Sequence, residues 1–208
     1  MPPAGSDTDR RPRIGLLGGT FNPVHDGHLS IAREALRLFE LDEVWFIPCA
    51  IPPHKPAGNL APNEDRLAML RLAIAGEPRF KALPLEFERP GKSYTADTLR
   101  LLRERHPETD FLFIIGADTL PELHTWHQPL EVLALARVVT LARPGFRPDP
   151  AAIHLPPPWP ERLLADVRTG TPLDVASRDI RAALAAGRPV SLVPEPVLHY
   201  IHEHNLYQ

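Results

Sequence analysis

The chain has 208 residues, of which 43% are hydrophobic, a formal net charge of −3 and a single cysteine, Cys49. Length and composition fit one compact α/β domain. The charge supplies no global basic field for nucleic acid, and one cysteine excludes an internal disulfide framework or a zinc site of several cysteines. There is no apolar run of the length a membrane span needs. The opening "MPPAGSDTDRRPR" lacks the apolar stretch of a secretory signal. The expectation is a cytoplasmic protein with no membrane or nucleic-acid partner; a homo-oligomer is compatible with the sequence.

Residues 1–12 read as a disordered tail, and residues 13–208 as a single domain. "RIGLLGG" (Arg13–Gly19) predicts a buried strand ending in a glycine turn, and the spacing of Leu29, Ala32, Ala35, Leu36 and Phe39 predicts a helix after it. "EVWFIPC" (Glu43–Cys49) predicts a second strand, closed by the loop "AIPPHKPAG". Asn63 as N-cap, with Glu64 and Asp65 in the first turn, predicts a helix whose stripe is Leu67, Leu70 and Ile74. "FKALPLEFE" reads as a strand region, edge-like at Pro84, and "SYTADTLRLLRERH" as a helix capped by Ser93 or Thr95. "FLFIIGAD" (Phe111–Asp118) is the most strand-like run, and "RVVTLARPG" (Arg137–Gly145) predicts another strand. The Pro-rich "LARPGFRPDPAAIHLPPPWPE" reads as a long connection. "ASRDIRAALAAG", stopped by Gly187, and "PEPVLHYIHEHN" are two C-terminal helices.

This alternation predicts a Rossmann-like, doubly wound parallel sheet with helices on both faces and a small helical C-terminal part. Ligands of such sheets sit outside the carboxyl ends of the strands. The candidate segments are therefore Gly18 to His28, Pro52 to Lys55 and Gly116 to Asp118.

The first of these, within "GLLGGTFNPVHDGHLSIA", allows several readings. A helical zinc motif needs two histidines four apart with a glutamate between them. His25 and His28 are separated by Asp26 and Gly27, and no third ligand is evident, so zinc is disfavoured. The glycines do not match the G-x-G-x-x-G of a dinucleotide fold. A phosphate cradle fits better. Gly18 and Gly19 admit close approach of backbone N–H groups, Thr20 adds a hydroxyl, and a helix N-terminus follows at His28. A plain glycine turn with structural histidines is the bland alternative.

"GGTFNPVHDGHL" resembles the signature of the nucleotidyltransferase superfamily, Gly-Gly-Thr-Phe-Asp-Pro-x-His-x-Gly-His, with Asn22 in place of the usual Asp. The resemblance implies nucleotidyl transfer from a nucleoside triphosphate. "IPPHKP", "GKSYTADTL", "FIIGADTLPELHTWH", "ARPGF" and "LVPEPVLHYIHEHNLY" extend it: in order and spacing the chain from Arg13 onward is similar to nicotinate-nucleotide adenylyltransferases of the bacterial type. "DVASRDIRAAL" stands where the family has Ile-Ser-Ser-Thr-x-Ile-Arg; Ser177, Ile180 and Arg181 match, while Ala176 and Arg178 replace hydroxyl residues, and Ser177 is expected to cap the helix that follows.

The resemblance implies ATP and nicotinate mononucleotide as substrates, with Mg²⁺ brought in by ATP and no metal site in the protein. For ATP it implies Gly18, Gly19, Thr20, Phe21, His25, His28, Gly116, Asp118, Ser177 and Arg181, with His28 and His25 stabilising the transferred phosphoryl group. Asp118 would touch the adenosine ribose, though it could equally be a helix N-cap. For the mononucleotide it implies Lys55 at the phosphate, Tyr94 and Thr95 at the carboxylate and Trp126 stacked on the ring. Lys55 could instead be a solvated surface lysine, and Trp126 ordinary core. An enzyme that also accepts the amide, and a non-catalytic nucleotide-binding protein of the same fold, are the alternatives.

Overall fold

A computed structural model describes residues 10–52, 60–147, 149–171 and 173–208. Of the expected tail over residues 1–12, residues 1–9 lie outside the described residues, as do Lys55 and its neighbour His54, while Arg10 donates to Asp42 at 2.6 Å and Pro12 O accepts from Asp110 N–H at 2.9 Å.

Strands apolar on both faces must be covered on both faces, and this chain supplies helices for each. The six strands are β1 (Arg13–Gly19), β2 (Glu43–Pro48), β3 (Phe80–Ala82), β4 (Asp110–Gly116), β5 (Arg137–Ala142) and β6 (Val167–Thr169). They pair in parallel throughout, in the order β3-β2-β1-β4-β5-β6. In β4, Leu112 and Ile114 enter one apolar cluster, while Phe111, Phe113 and Ile115 enter the other. The first cluster is closed by α1 (Asp26–Leu38), α2 (Asn63–Ile74), α6 (Ser177–Ala185) and α7 (Glu195–Glu203). The second is closed by α3 (Thr95–Arg105), α4 (Pro129–Leu135) and α5 (Trp159–Ala165). The doubly wound reading of the sequence is therefore the architecture found, and the C-terminal helices α6 and α7 are part of the first cluster.

This topology places the site. The chain runs outward from β1 through β2 to β3, then returns to the other side of β1 as β4. Connections leave in opposite directions from the carboxyl ends of β1 and β4, which opens a crevice between Gly19 and Gly116.

Several local expectations are corrected. "FKALPLEFE" is a strand only over Phe80–Ala82, because Pro84 has no N–H for the ladder and the chain turns, Phe87 N–H donating to Pro84 O. Neither Ser93 nor Thr95 caps α3; Tyr94 holds the N-cap position, and the Ser93 hydroxyl accepts from Ala50 N–H at 3.0 Å. Asn63 is the first residue of α2 rather than its cap, and its side-chain oxygen accepts from Arg66 instead. The stripe of α2 is rotated: Arg66, Met69, Leu70 and Ile74 are buried, and Leu67 only partly so. Ser177 likewise does not cap α6; it is the first helical residue, and its hydroxyl donates to Pro23 O at 3.0 Å. The fourth strand stops at Gly116 and a 3-10 turn follows over Ala117–Thr119; the fifth stops at Ala142, before Pro144. The Pro-rich connection carries a 3-10 turn at Pro150–Ala152 and leads into α5. By contrast, β1 has the expected bounds, all five stripe residues of the first helix are buried, and Gly187 follows α6 with φ +62°.

Candidate active site

The loop between β1 and α1 is held from three sides. Phe21, at φ +46°, turns its ring into the core, where it meets His28 edge-on at 5.0 Å and Phe46 at 5.8 Å. A non-glycine residue held in this backbone region is the kind of strain that a surrounding site must over-determine. Asn22, 2% exposed, accepts through Oδ1 from Ala61 N–H at 3.0 Å and from Tyr207 O–H at 2.7 Å. Its backbone oxygen accepts from Arg181 Nη1 at 2.7 Å, which ties the loop to α6. From below, the fully buried guanidinium of Arg66 donates to Thr20 O at 2.8 Å, Cys49 O at 2.6 Å and Ala61 O at 3.1 Å. One cation thus collects main-chain oxygens from the ends of β1 and β2 and the start of α2, an arrangement that suits the planar, multiply donating arginine.

Above this frame the two imidazoles stack, ring centroids 3.7 Å apart. His25 is the N-cap residue of α1 and is 5% exposed; His28 sits two residues inside the helix and is half-buried. The His25 main-chain N–H donates to His28 Nδ1 at 3.2 Å. Burial pushes His25 down to about 4 and His28 to about 3, the charge of His25 adding to the effect on His28. Nδ1 of His25 is buried without a hydrogen-bond partner among the described residues, which further favours an uncharged ring. Gly27 is required beside them, since a Cβ there would lie 2.6 Å from Val175 and 3.0 Å from His25 Nδ1.

Two cavities meet at these rings. The larger, about 1000 Å³, is lined by Gly19, Thr20, His25, His28, Gly116, Asp118, Ser177 and Arg181. The smaller, about 430 Å³, is lined by Gly18, Tyr94, Thr95 and Trp126. Gly19, Thr20, His28 and Gly116 line both. The expected residues are therefore brought together from β1, α1, the end of β4, α3 and α6, except Lys55, which falls outside the described residues, and Phe21, whose ring supports His28 from the core and lines neither cavity. Asp118 stands inside the 3-10 turn after β4, whose N-cap position is held by Gly116, so Asp118 is not the cap. Trp126 and Phe113 meet at right angles with ring centroids 5.8 Å apart, and Tyr94 lies against His127 at 4.3 Å.

Sequence reasoning did not single out Arg66, Tyr207, Arg143 or Phe146. Arg143 and Phe146 line the large cavity, and the segment "ARPGF" that holds them was a usable signal. Arg66 carried none, because its role depends on contacts distant in sequence. Among the described residues, no group of three or more His, Cys, Asp or Glu side chains converges to hold a metal.

A two-lobed crevice with neutral imidazoles at its waist and the N-termini of three helices around it can position two anionic ligands end to end. Comparison with known proteins agrees with that geometry. The Cytidylyltransferase-like family model matches residues 16–183. The probable nicotinate-nucleotide adenylyltransferase of Halalkalibacterium halodurans is 45% identical over 198 residues, 94% of this chain and 91% of that protein. That of Roseiflexus sp. is 45% identical over 197 residues, 94% and 98% of the two chains. Among solved structures, the Plasmodium falciparum nicotinic acid mononucleotide adenylyltransferase complexed with NaAD superposes with a TM-score of 0.74 at 18% identity, covering 94% of this chain and 97% of that one, a likeness of fold. At this identity and coverage to its curated relatives, the chain belongs to the nicotinate-nucleotide adenylyltransferase family of cytidylyltransferase-like nucleotidyltransferases.

Proposed function

We propose that the protein transfers the adenylyl group of ATP to nicotinate mononucleotide, giving nicotinate adenine dinucleotide and pyrophosphate, a step of NAD biosynthesis. The observation that carries this reading is that His28 lines both cavities. ATP takes the larger one, with its phosphates at Thr20, His25, His28, Ser177 and Arg181; the acceptor takes the smaller, its phosphate pointing at the shared waist. Lys55 would add a cation at that phosphate.

An oxygen of the acceptor's phosphate attacks the α-phosphorus of ATP, the bond to the β-phosphate oxygen breaks, and pyrophosphate leaves. A phosphate monoester is already ionised near neutral pH, so the step needs no general base and no covalent enzyme intermediate. Catalysis is positioning plus stabilisation of charge on the α-phosphoryl oxygens. His28 donates through Nε2–H, with His25 beside it, while Arg181 and Ser177 hold the departing pyrophosphate. The metal-assisted part of the chemistry, neutralisation of phosphate charge, would be supplied by Mg²⁺ bound to ATP rather than by a cage of protein carboxylates.

In the acceptor cavity, Tyr94 and Thr95 open an 11-residue helix whose first N–H groups favour a carboxylate over a carboxamide. Trp126 offers its face to the pyridine ring. The test is product analysis with ATP and either the acid or the amide mononucleotide. Nicotinate adenine dinucleotide and pyrophosphate in equal amounts, formed faster than the amide product, are expected. Absence of product from the acid overturns the reading.

A further inference from the structure

Beside the acceptor cavity lies a carboxyl group that the reaction scheme does not use. Glu86 is 8% exposed and lines that cavity together with Tyr94, Thr95 and Trp126. Thr98 Oγ1 donates to Glu86 Oε1 at 2.7 Å, and the Ser93 hydroxyl and Cys49 side chain also hydrogen-bond to the carboxyl group. Ser93 already accepts from Ala50 N–H, so its single proton is free to be directed at Glu86. Glu86 thereby joins the end of β2 to the first turn of α3, the turn that receives the acceptor's carboxylate in the proposed function.

Thr98 can serve Glu86 in either protonation state. Its hydroxyl accepts from Arg89 Nη2 and lies 2.7 Å from Glu86 Oε1 and 3.3 Å from Tyr94 O. One hydroxyl proton cannot serve both acceptors fully. With Glu86 ionised, the proton goes to Glu86. With Glu86 protonated, the acid O–H can donate to Thr98, whose own proton then turns to Tyr94 O, already the acceptor of Thr98 N–H at 3.2 Å, so the cluster accommodates the carboxyl group in either form.

The groups facing Glu86 divide by effect. Arg89, from the turn before α3, favours the ionised form; Cys49, Ser93 and Thr98 are uncharged donors to it; burial opposes the charge and outweighs the rest, pushing the carboxyl above its ordinary value. Farther off, Arg66 reaches Cys49 O and lies over the Phe87 ring at 5.0 Å, while His127 rests on Tyr94. Placing a substrate carboxylate in the same small cavity adds a second negative charge, which disfavours ionised Glu86 further.

We propose that Glu86 is a positioning residue that takes up a proton from solvent when an acceptor bearing an aromatic carboxylate binds at the start of α3, so that acceptor affinity is coupled to pH. This rests on the acceptor assignment made under the proposed function.

The experiment is calorimetric titration of nicotinate mononucleotide into the wild-type protein and E86Q from pH 6 to pH 9, in pairs of buffers with different ionisation heats. The ligand's own phosphate titrates identically in both titrations and cancels. Wild type is expected to take up as much as one proton more than E86Q. Above the Glu86 transition its Kd should rise relative to E86Q by up to about tenfold per pH unit, the limit for one linked proton. Equal uptake and parallel Kd curves overturn the role of Glu86 and leave the acceptor assignment standing. Absence of binding by wild type at every pH takes down both. If E86Q does not fold, the amide mononucleotide serves as the control on wild type: greater proton uptake with the acid supports the proposal, and equal uptake overturns it.

Discussion

His25 and His28 are joined by two hydrogen bonds: His28 N–H donates to His25 O at 2.9 Å, and the main-chain N–H of His25 donates to Nδ1 of His28 at 3.2 Å. Because Nδ1 is the acceptor, the neutral ring of His28 carries its proton on Nε2, which becomes a donor of fixed direction. Phe21, edge-on to the ring at 5.0 Å, and His25, stacked on it at 3.7 Å, hold its plane. A donor held in place before the reaction costs no reorganisation when charge grows on the transferred phosphoryl group.

His28→Ala removes that donor. Loss of one preorganised donor of this kind lowers kcat by about 10²–10³-fold, and ATP binding, spread over both sides of the large cavity, should weaken by less than about tenfold. Steady-state kinetics with ATP varied at saturating acceptor measures both. Turnover near that of wild type removes His28 from the mechanism.

Acid should loosen the same pair. Both rings have folded-state values below the ordinary 6.5, at about 4 and about 3. The unfolded chain therefore binds these protons first, so the stability contribution is complete above about pH 6.5 and declines as pH falls toward pH 4. From pH 7 to pH 5.5 the two rings together should cost about 2.5 kcal/mol. Urea unfolding at the two pH values measures it, and an unchanged midpoint would show that the rings are not held neutral.

Trp126→Ala tests the acceptor side. The indole is braced by Phe113 at 90° and lines only the smaller cavity. Stacking of an aromatic ring on such a face contributes about 1–3 kcal/mol, so KM for nicotinate mononucleotide should rise at least about fivefold while KM for ATP moves little. Equal rises for both substrates would mean that Trp126 supports the fold of the site rather than the ring.

How much of this was legible in the sequence varies with the range of the interactions. The fold came from local periodicity: the five-residue stripe of α1 and the bounds of β1 are set by neighbours along the chain. The phosphate loop was legible because its glycines and histidines are contiguous. Arg66 was not, since a charged residue at the edge of an amphipathic helix gives no sign that carbonyls of Thr20 and Cys49 will converge on it. The same holds for Tyr207, whose bond to Asn22 spans nearly the whole chain. Caps were misread for a different reason. Ser93, Asn63 and Ser177 have the right chemistry at helix starts, but each found a partner elsewhere: Ala50 N–H, Arg66 and Pro23 O.

Asn22 is the one position of the phosphate loop that departs from the family signature, and the structure gives it a structural task. Its Oδ1 receives Ala61 N–H and Tyr207 O–H, both donors that a carboxylate oxygen would accept equally well. Arg181, bonded to its backbone oxygen, and Arg66, bonded to Ala61 O, place two cations near enough to offset a buried negative charge. Asn22→Asp should therefore keep the turn and leave kcat within about threefold, as expected of a group that is not part of the transition state. Asn22→Ala strands two donors at a site only 2% exposed, at a cost of about 1–3 kcal/mol for each group left unsatisfied. It should lower the urea midpoint and, by releasing Tyr207 and the Ala61 segment, raise KM for ATP. Parallel unfolding and kinetic measurements on the two variants decide the matter: a large fall in kcat for Asn22→Asp with unchanged stability would mean that the amide itself acts on the triphosphate.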